Sequence, residues 1–347
     1  MHAKIPVGIL GATGMVGQRF IQLLEHHPWF EVTWLGASER SEGKPYAEAA
    51  KWRMKTAMPK HIASMMVSSA EPKGAPKLVL AALDSKAAAH IEPKFVEAGH
   101  ILVSNSAALR MDADVPLVIP EVNAGHLKLV ESKKAAGKGF AVTNPNCSTI
   151  GLVMALSPLQ QKFGLESIFV VTMQAISGAG YPGVASWDIL GNVVPYISNE
   201  EEKMEAESRK LLGDLGDGEI SMADFRISAQ CNRVAVEDGH TESVAIKLRR
   251  KASAEEILAA WREFRPLDGL HLPSAPPQPV IYETRPDRPQ PRFDVDAGKG
   301  MATVVGRLRP CSLLDWKFTV LSHNTIRGAA GAALLNAEIM KAQGYLG

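Results

Sequence analysis

The hydrophobic positions divide the chain into two parts with different periodicity. In the first part, short apolar runs lie at residues 5–10, 31–36, 77–83, 99–104 and 140–143. Amphipathic stretches, such as residues 16–26 and 85–98, separate these runs. Strands that alternate with helices are typical of βαβ units. The first part is therefore predicted to form a mostly parallel sheet covered by helices.

From residue 165 the pattern changes to long strand-like runs with few helical stretches between them. The predicted strands are residues 165–176, 225–236, 241–248, 301–308 and 315–321, and the predicted helices are residues 198–212 and 253–264. Long strands with few crossover helices indicate an α+β domain with a mixed or antiparallel sheet. Residues 271–291 are rich in proline and predict a surface loop or arm. A closing helix rich in glycine and alanine is predicted at residues 324–342, with close packing against the first part.

A glycine-rich turn, Gly11-Ala-Thr-Gly14-Met-Val-Gly17, follows the first predicted strand. Between a strand and a helix, the first glycine permits a tight turn, the second lets the backbone approach a pyrophosphate, and the third lets the helix pack closely. The spacing is GxxGxxG rather than the usual GxGxxG, and by itself it is also found in turns that serve packing alone. In its strand–turn–helix–strand context it predicts a Rossmann-like dinucleotide-binding domain. The cofactor contacts are expected from Gly11, Thr13, Gly14, Met15 and Val16.

The residues after the second predicted strand bear on the choice of cofactor. Folds that bind NAD usually place an acidic residue there for the ribose hydroxyls. Here the hydroxyls of Ser38 and Ser41 flank Arg40, which suits a 2′-phosphate and predicts NADP. Glu39 does not fit this prediction, because an acidic residue at this place is typical of NAD-binding folds. Its side chain could either point away or permit NAD.

Composition excludes several classes of protein. The chain has 347 residues, 46% of them hydrophobic and 22% charged, with a formal net charge of +1. This near-neutral balance gives no sign of a nucleic-acid or membrane partner. There is no apolar run near the roughly 18 residues of a membrane span, and no signal-peptide pattern at the start. The three cysteines lack a CxxC pair, so we expect reduced thiols, no metal site and a cytoplasmic protein.

The stretch Thr143-Asn-Pro-Asn-Cys147-Ser-Thr149 lies between the two parts. It precedes residues 150–156, which have a helical pattern. A thiol at a helix N-terminus faces free backbone N–H groups and the positive end of the helix dipole, and both lower its pKa. A lone cysteine is more often simply buried, but this one follows the end of a predicted parallel strand, where open α/β sheets build their sites. We therefore predict that Cys147 is a nucleophile.

Several motifs occur together in one order along almost the whole chain. They are Gly11-Ala-Thr-Gly-Met-Val-Gly17, Asn144-Pro-Asn-Cys147-Ser-Thr149, Gln174-Ala-Ile-Ser-Gly-Ala-Gly-Tyr-Pro-Gly183, Arg233 with Gly239-His240, and Asn324. In this combination the sequence resembles aspartate-β-semialdehyde dehydrogenase. Glu200-Glu-Glu-Lys-Met204 and Arg285-Pro-Asp-Arg-Pro-Gln-Pro291 are similar to the archaeal and fungal branch. The resemblance implies NADPH-dependent reduction of L-aspartyl-4-phosphate to L-aspartate-4-semialdehyde with release of phosphate, a step toward lysine, threonine and methionine.

The resemblance also implies roles for individual residues. Cys147 would form a thioester, His240 would serve as acid/base, and Gln174 would help to orient the thioacyl group. An imidazole suits proton exchange, because its ordinary pKa of about 6.5 is close to cellular pH.

The remaining implied roles concern substrate and cofactor. Substrate contacts would come from Arg233 for the carboxylate, Glu200 for the amino group, Lys203 and Arg110 for the phosphate, and Asn146. Which of the three consecutive glutamates beginning at Glu200 is functional stays open at this point. The nicotinamide side would be formed by Ser177, Gly178, Gly180 and Asn324. Asn324 could act as the N-cap of the last helix, as a carboxamide contact, or as both.

Three alternatives remain. Malonyl-CoA reductase and N-acetyl-glutamyl-phosphate reductase share the two-domain plan, and a nucleotide-binding regulator without catalysis is a more distant possibility. The presence of Arg233, Glu200 and Lys203 favours a substrate with a carboxylate, an amine and a phosphate. The predicted NADP-binding domain comprises residues 1–147 with the helix at 324–347, and the predicted catalytic and dimerisation domain comprises residues 148–323. The resemblance implies a homodimer or homotetramer.

Overall fold

The computed structural model describes residues 3–346, which form two six-stranded sheets and their covering helices. The strands are β1 (Ile5–Leu10), β2 (Phe30–Ala37), β3 (Ser68–Ser69), β4 (Leu78–Ala81), β5 (Ile101–Ser104), β6 (Phe140–Thr143), β7 (Leu165–Gln174), β8 (Asp214–Leu215), β9 (Ile220–Ser221), β10 (Arg226–Arg233), β11 (His240–Leu248), β12 (Val280–Glu283), β13 (Thr303–Pro310) and β14 (Trp316–Ser322). The helices are α1 (Met15–Leu24), α2 (Tyr46–Ala49), α3 (Lys60–Ala63), α4 (Ser85–Glu97), α5 (Pro120–Asn123), α6 (Glu131–Ala135), α7 (Cys147–Phe163), α8 (Ser186–Ile189), α9 (Glu200–Leu211), α10 (Ala254–Glu263), α11 (Pro291–Asp294) and α12 (Gly331–Ala342). In the described part of the chain, no helix is both long and apolar enough to cross a membrane.

The first sheet has the order β3-β2-β1-β4-β5-β6, and all its pairs are parallel. β4, β5 and β6 are buried at every position. Continuous apolar runs are typical of parallel strands that are covered on both faces, which is why the sequence pattern identified them. The strand order reverses between β1 and β4, so a crevice opens beyond their carboxyl ends. The glycine-rich turn follows β1 at this position.

The second sheet has the order β10-β7-β11-β14-β13-β12. Its two outer pairs, β10 with β7 and β12 with β13, are parallel, and the inner pairs are antiparallel. The sheet is therefore mixed, as the sequence allowed. Along β7, Ile168 and Val170 are buried in the core that also contains α7, whereas Phe169 lies exposed on the opposite face.

The proline-rich segment at residues 271–291 is not wholly a loop, and that prediction was wrong for β12. The four residues of β12 pair in parallel with β13 at the edge of the second sheet. Prolines are tolerated beside an edge strand, because one side of such a strand makes no ladder hydrogen bonds. The surrounding prolines therefore led to the prediction of a loop, although residues 280–282 of the strand are apolar.

The chain returns to the first sheet at its end. Leu334, Leu335, Ile339 and Met340 of α12 are buried in the same core as Val7 of β1. The predicted start at residue 324 was wrong, since regular α-helix begins at Gly331 after a π-helical turn at Ile326–Ala330. Single π-helical turns inside helices are frequent at functional sites. This turn lies beside Cys147, as described below.

Candidate active site

Cys147 is the first residue of α7, directly after β6 and its short connection. Asn146 has extended backbone angles, and its side-chain Oδ1 accepts hydrogen bonds from the N–H groups of Ser148 (2.9 Å) and Thr149 (3.2 Å). Asn146 is thus the N-cap of the helix. The predicted helix start at the nucleophile is confirmed, and the cap fixes the thiol at the end of β6.

The thiol of Cys147 meets the imidazole of His240, which begins β11. The distance from Sγ to Nε2 is 3.2 Å. On the other side of the ring, Nδ1 accepts a hydrogen bond of 3.0 Å from the main-chain N–H of Ala175. An amide N–H can only donate, so the neutral ring carries its proton on Nε2, facing the sulfur. The two predicted catalytic residues therefore form a hydrogen-bonded pair whose tautomer is set by the backbone.

The protonation of this pair differs from the sequence expectation. Burial, followed by the nearby charge of Glu200, raises the pKa of Cys147 to about 12, against smaller lowering effects of Arg233 and Arg110. Burial, followed by the charges of Arg233 and His323, lowers the pKa of His240 to about 3. The expected low thiol pKa and the expected ordinary imidazole pKa were both wrong, because desolvation outweighs the helix N-terminus. At neutral pH the pair is a thiol and a neutral imidazole.

Helix α9 brings an acidic residue and a basic residue to the same place. Glu200 is buried, and its Oε1 accepts a 2.7 Å hydrogen bond from Nδ2 of Asn146. Nζ of Lys203 lies 3.7 Å from Oε2 of Glu200. The other two glutamates point elsewhere, since Glu201 accepts from the N–H of Cys231 and Glu202 is exposed. Of the three consecutive glutamates, Glu200 alone is bonded beside the nucleophile.

Two buried arginines complete the charged surroundings of Cys147. Arg233 ends β10 and donates from Nη1 to the carbonyl oxygen of Ala175 (2.7 Å). Arg110 lies in the loop after β5 and donates from Nη1 to Oε1 of Glu207 (2.9 Å) and from Nη2 to the carbonyl of Asn105 (2.7 Å). The structure thus brings both arginines close enough for their charge to act on the thiol.

Gln174 ends β7, as predicted, and is paired in register with Arg233. Its side-chain amide donates to Oγ1 of Thr172 at 3.3 Å. The side chain is therefore turned along its own strand in this structure, while its backbone lies next to the site.

The turn after β1 has the geometry that a dinucleotide phosphate requires. Gly11 has a φ of +84°, and a Cβ there would lie 2.6 Å from the carbonyl oxygen of Ala82. Gly14 is the N-cap of α1 and supplies no side-chain hydrogen bond, so no side chain occupies the N–H groups of the first turn. Met15 and Val16 begin this helix, and Thr13 precedes it, half-buried. A helix N-terminus of this kind binds anions.

The residues predicted to recognise a 2′-phosphate follow the adjacent strand. Ser38 and Arg40 are exposed just beyond the end of β2, and Ser41 closes the turn through its N–H to the carbonyl of Ser38 (2.8 Å). Glu39 is exposed as well. The side chains of Ser38 and Arg40 are thus free to meet a ligand that extends from the glycine-rich turn, whereas Ser41 is buried.

A cleft of about 860 Å³ lies between the two sheets. Met15 lines it on one side, and Ser177 and Gly180 line it on the other. Gly178 lies at the junction with the catalytic pair, since a Cβ there would be 3.2 Å from Nε2 of His240. Of the predicted cofactor residues, Met15 from the first part of the chain and Ser177 and Gly180 from the second thus line one cleft.

Asn324 does not cap the last helix, and that alternative was wrong. Its Oδ1 accepts from the N–H of Gly239 and its Nδ2 donates to Oγ of Ser177, each at 2.8 Å. The side chain therefore ties the residue before His240 to the wall of the cleft. It holds the imidazole and the predicted nicotinamide side in one arrangement.

Sequence reasoning missed two neighbours of the nucleophile. Gly328 in the π-helical turn lies so close that a Cβ there would be 2.8 Å from Cβ of Cys147. Glu207 accepts a 2.6 Å hydrogen bond from the main-chain N–H of Asn146. The seven-residue spacing from Glu200 to Glu207 on a predicted helix was a usable signal, because residues so spaced share a face. Gly328 gave no comparable signal, because it lies within a run of glycine and alanine residues.

A parallel sheet with a phosphate-binding turn, joined to a mixed sheet that carries a Cys–His pair, defines a nucleotide-dependent enzyme that works through a covalent thiol adduct. The sequence profile for the semialdehyde dehydrogenase NAD-binding domain matches residues 6–130, and the profile for the semialdehyde dehydrogenase dimerisation domain matches residues 156–327. The chain therefore belongs to the semialdehyde dehydrogenase family.

Within it, the chain belongs to the aspartate-semialdehyde dehydrogenases, as relatives that match over almost the whole length show. The aspartate-semialdehyde dehydrogenase of Archaeoglobus fulgidus is 51% identical, over 97% of this chain and 98% of its own. That of Methanothermobacter thermautotrophicus is 48% identical, over 97% and 99%. The crystal structure of aspartate semialdehyde dehydrogenase with NADP from Candida albicans matches with a TM-score of 0.92 and 44% identity, over 99% of this chain and 100% of that one. The predicted archaeal and fungal branch is thereby confirmed.

Proposed function

We propose that this protein catalyses the NADPH-dependent reduction of L-aspartyl-4-phosphate to L-aspartate-4-semialdehyde, with release of inorganic phosphate. The observation that carries the proposal is the 3.2 Å contact between Cys147 and His240 beside buried groups of both charges. The full-length relatives that bear the family name support the same reaction.

In the first step, Sγ of Cys147 attacks the acyl carbon of the substrate. A carbon–sulfur bond forms, the carbon–oxygen bond to phosphate breaks, and the thiol proton leaves with the phosphate. The product is a thioester on Cys147, which divides a hard displacement into two easier ones. Nε2–H of His240 points at the sulfur and stabilises the charge that grows there as the proton leaves.

In the second step, the thioester is reduced and the aldehyde is released. NADPH, when bound, supplies the hydride for this reduction. The oxygen of the thioester gains negative charge, and His240 is placed to donate a hydrogen bond to it from Nε2. The electron pair on that oxygen then re-forms the carbonyl of the aldehyde, the carbon–sulfur bond breaks, and the thiolate of Cys147 takes up one proton from solvent. The observed tautomer of His240, with its proton on Nε2, thus suits a hydrogen-bond donor or general acid, which is one of the two functions in the predicted acid/base role.

The charged side chains match the ends of the proposed substrate. We assign Arg233 to the α-carboxylate, because a guanidinium forms two parallel hydrogen bonds with such a group. Glu200 is assigned to the α-amino group, and Lys203 with Arg110 to the phosphate. Asn146, held by Glu200, and Gln174 are assigned to orienting the acyl group. The malonyl group of malonyl-CoA lacks the amine that Glu200 would bind.

The glycine-rich turn and its neighbours are assigned to NADP. Gly11, Thr13, Gly14, Met15 and Val16 would hold the pyrophosphate, and Ser38, Arg40 and Ser41 the 2′-phosphate. Ser177, Gly178, Gly180 and Asn324 would lie beside the nicotinamide. The structure of the Candida albicans relative was solved with NADP, which supports this assignment.

The organisation of the chain is part of the proposal. We assign cofactor binding to residues 1–147 with 324–347, and catalysis with subunit contact to residues 148–323. The exposed face of the second sheet, with Phe169, supports a homodimer or homotetramer. The three free thiols suit a reducing compartment, so we propose a cytoplasmic location.

The reverse reaction tests the function directly. Purified protein is given aspartate semialdehyde, NADP and phosphate, and the absorbance of NADPH is followed. We expect a signal that requires phosphate, and no signal with malonyl-CoA and NADPH in the opposite direction. Phosphate-independent or absent turnover would contradict the proposal, and turnover of malonyl-CoA would favour the CoA-dependent rival.

The nucleophile is tested in the same assay. Cys147→Ala is expected to lower kcat by about 10⁶-fold, as removal of a nucleophile does elsewhere, and to leave NADP binding intact. Cys311→Ser is the matched control, because Cys311 is a free thiol in the turn between β13 and β14. Activity that survives in Cys147→Ala would remove the assigned role.

A further inference from the structure

Helix α9 presents a stripe of charged residues to the loops around the nucleophile. The stripe consists of Glu200, Lys203, Glu207 and Lys210, which are three or four residues apart and share one face of the helix. Glu200, Glu207 and Lys210 are buried. Buried charges are stable only when they are paired or hydrogen-bonded, so their partners indicate what the stripe holds.

Glu207 holds two separate parts of the site with a single carboxylate. Its Oε2 accepts a hydrogen bond of 2.6 Å from the main-chain N–H of Asn146, the residue before Cys147. Its Oε1 accepts one of 2.9 Å from Nη1 of Arg110. The side chain of Glu207 is only 2% exposed. The carboxylate therefore links the backbone that carries the thiol to the guanidinium of a different loop.

Lys210 fixes the same loop from the next turn of the helix. Its Nζ donates to the carbonyl oxygens of Arg110 (2.8 Å), Asp112 (2.8 Å) and Val115 (3.1 Å). The backbone around Arg110 is thus held by Lys210, and its guanidinium by Glu207 and by the carbonyl of Asn105. Loss of Glu207 would therefore free Nη1 of Arg110 and the Asn146 peptide without releasing the loop.

We infer that Glu207 is a positioning residue, which aligns Cys147 with Arg110 and so sets the nucleophile at a fixed distance from the phosphate end of the substrate. The inference rests on the proposed function, which assigns Arg110 to the phosphate. Glu207 does not touch the reacting atoms, but it determines the positions of the Asn146 peptide and of the Arg110 guanidinium.

The first test is Glu207→Gln. The amide keeps an acceptor for one partner but loses the charge, so the other partner is released. Since a small misplacement in an active site can cost about 100-fold, we expect kcat to fall by about that factor and KM for phosphate to rise, with KM for NADP unchanged. Glu202→Gln, on the exposed face of the same helix, is the matched control and should behave as wild type.

The second test needs no substrate. The rates of alkylation of Cys147 by neutral iodoacetamide and by anionic iodoacetate are measured at one pH near neutrality, by mass spectrometry of the peptide that contains it. Arg110 places a positive charge near Cys147, and Glu207→Gln leaves that charge without its carboxylate partner, so the ratio of the iodoacetate rate to the iodoacetamide rate should rise. A variant whose fold is merely loosened would react faster with both reagents, without a change in their ratio. Glu207→Asp keeps the charge but is one methylene shorter, so it should lose kcat without a change in the ratio, and it also serves if the Gln variant does not fold.

Wild-type kcat with an unchanged ratio of the two alkylation rates in Glu207→Gln would overturn the inference. So would a parallel loss of NADP binding and activity, because that result indicates a structural role only. A wild-type enzyme without phosphate-dependent turnover would instead remove the proposed function, while the alkylation rates would still report on Glu207.

Discussion

The main-chain N–H of Ala175 donates a hydrogen bond of 3.0 Å to Nδ1 of His240. A protonated ring would carry a second N–H at Nδ1, and that group would face the Ala175 N–H without an acceptor between them. The backbone therefore disfavours the imidazolium, in the same direction as burial, which lowers the pKa of His240 to about 3. The imidazole of His240 therefore remains neutral and donates a hydrogen bond from Nε2.

This arrangement predicts a loss of stability in acid. The unfolded imidazole takes a proton at about pH 6.5, whereas the folded one, with its lowered pKa, resists protonation until about pH 3. Between these values the unfolded chain binds more protons, so the free energy of unfolding falls as pH falls. We expect His240→Gln to remove part of this slope, on the order of a few kcal/mol in total. Urea unfolding across this pH range measures it, and equal slopes in both proteins would contradict the prediction.

The contact between the π-helical turn and the nucleophile predicts the effect of one methyl group. In Gly328→Ala, the new Cβ would lie 2.8 Å from Cβ and 3.0 Å from Cα of Cys147, so the backbone of one segment must move. We expect a loss of about 1–3 kcal/mol in stability, together with a fall in kcat. Gly125→Ala is the control, because a Cβ there meets nothing within 4 Å. Thermal unfolding and turnover give both numbers, and unchanged turnover would show that Cys147 tolerates the shift.

The ion pair between Arg327 and Glu121 is fully buried, with both N···O distances at 2.7 Å. Removing one partner strands the other charge away from water, so Arg327→Met is expected to cost about 3–5 kcal/mol. The double variant with Glu121→Leu should cost less than the sum of the two single changes. Denaturant unfolding measures the coupling, and additive costs would argue against it.

An exposed ion pair provides the control for this experiment. Lys94 and Glu71 lie 2.8 Å apart, but both side chains are about half exposed, at 50% and 52%. Lys94→Met should therefore cost less than about 1 kcal/mol.

The outer face of the second sheet predicts subunit association. Phe169 is 46% exposed on β7, where Val171 and Met173 follow on the same face. Exposed apolar faces of this kind mark interaction surfaces. We expect Phe169→Asp to shift the protein toward a monomer in sedimentation experiments. Leu313→Asp, 90% exposed in the turn between β13 and β14, is the control, and an equal shift in both variants would refute this face as the interface.

The sequence was sufficient for the strands of the first sheet and for the start of α7. β4, β5 and β6 are buried throughout and apolar except for Ser104 and Thr143 at the ends of β5 and β6, because they are covered on both faces, and that pattern is local. The cap at Asn146 is also local, since it bonds only to the next turn. Such features can be predicted because all the groups that determine them are neighbours in the chain.

The protonation of the site could not be predicted in this way. The pKa of Cys147 rises through burial and through Glu200, which lies on a distant helix. The tautomer of His240 depends on the N–H of Ala175, 65 residues earlier. Local sequence indicated a helix terminus, which favours a thiolate, and an imidazole, whose ordinary pKa allows a positive charge near cellular pH. The packing of the two sheets removes the water that would have stabilised that charge.

The π-helical turn at Ile326–Ala330 has a consequence for synthesis of the enzyme. Proteins emerge from the ribosome N-terminus first, and their domains generally fold as they appear. Here the segment that covers the first sheet and touches Cys147 emerges after all fourteen strands. A chain synthesised only as far as β14 thus lacks both the cover of the first sheet and the turn that lies against Cys147. The surroundings of the nucleophile are therefore completed only after every strand of both six-stranded sheets has been made.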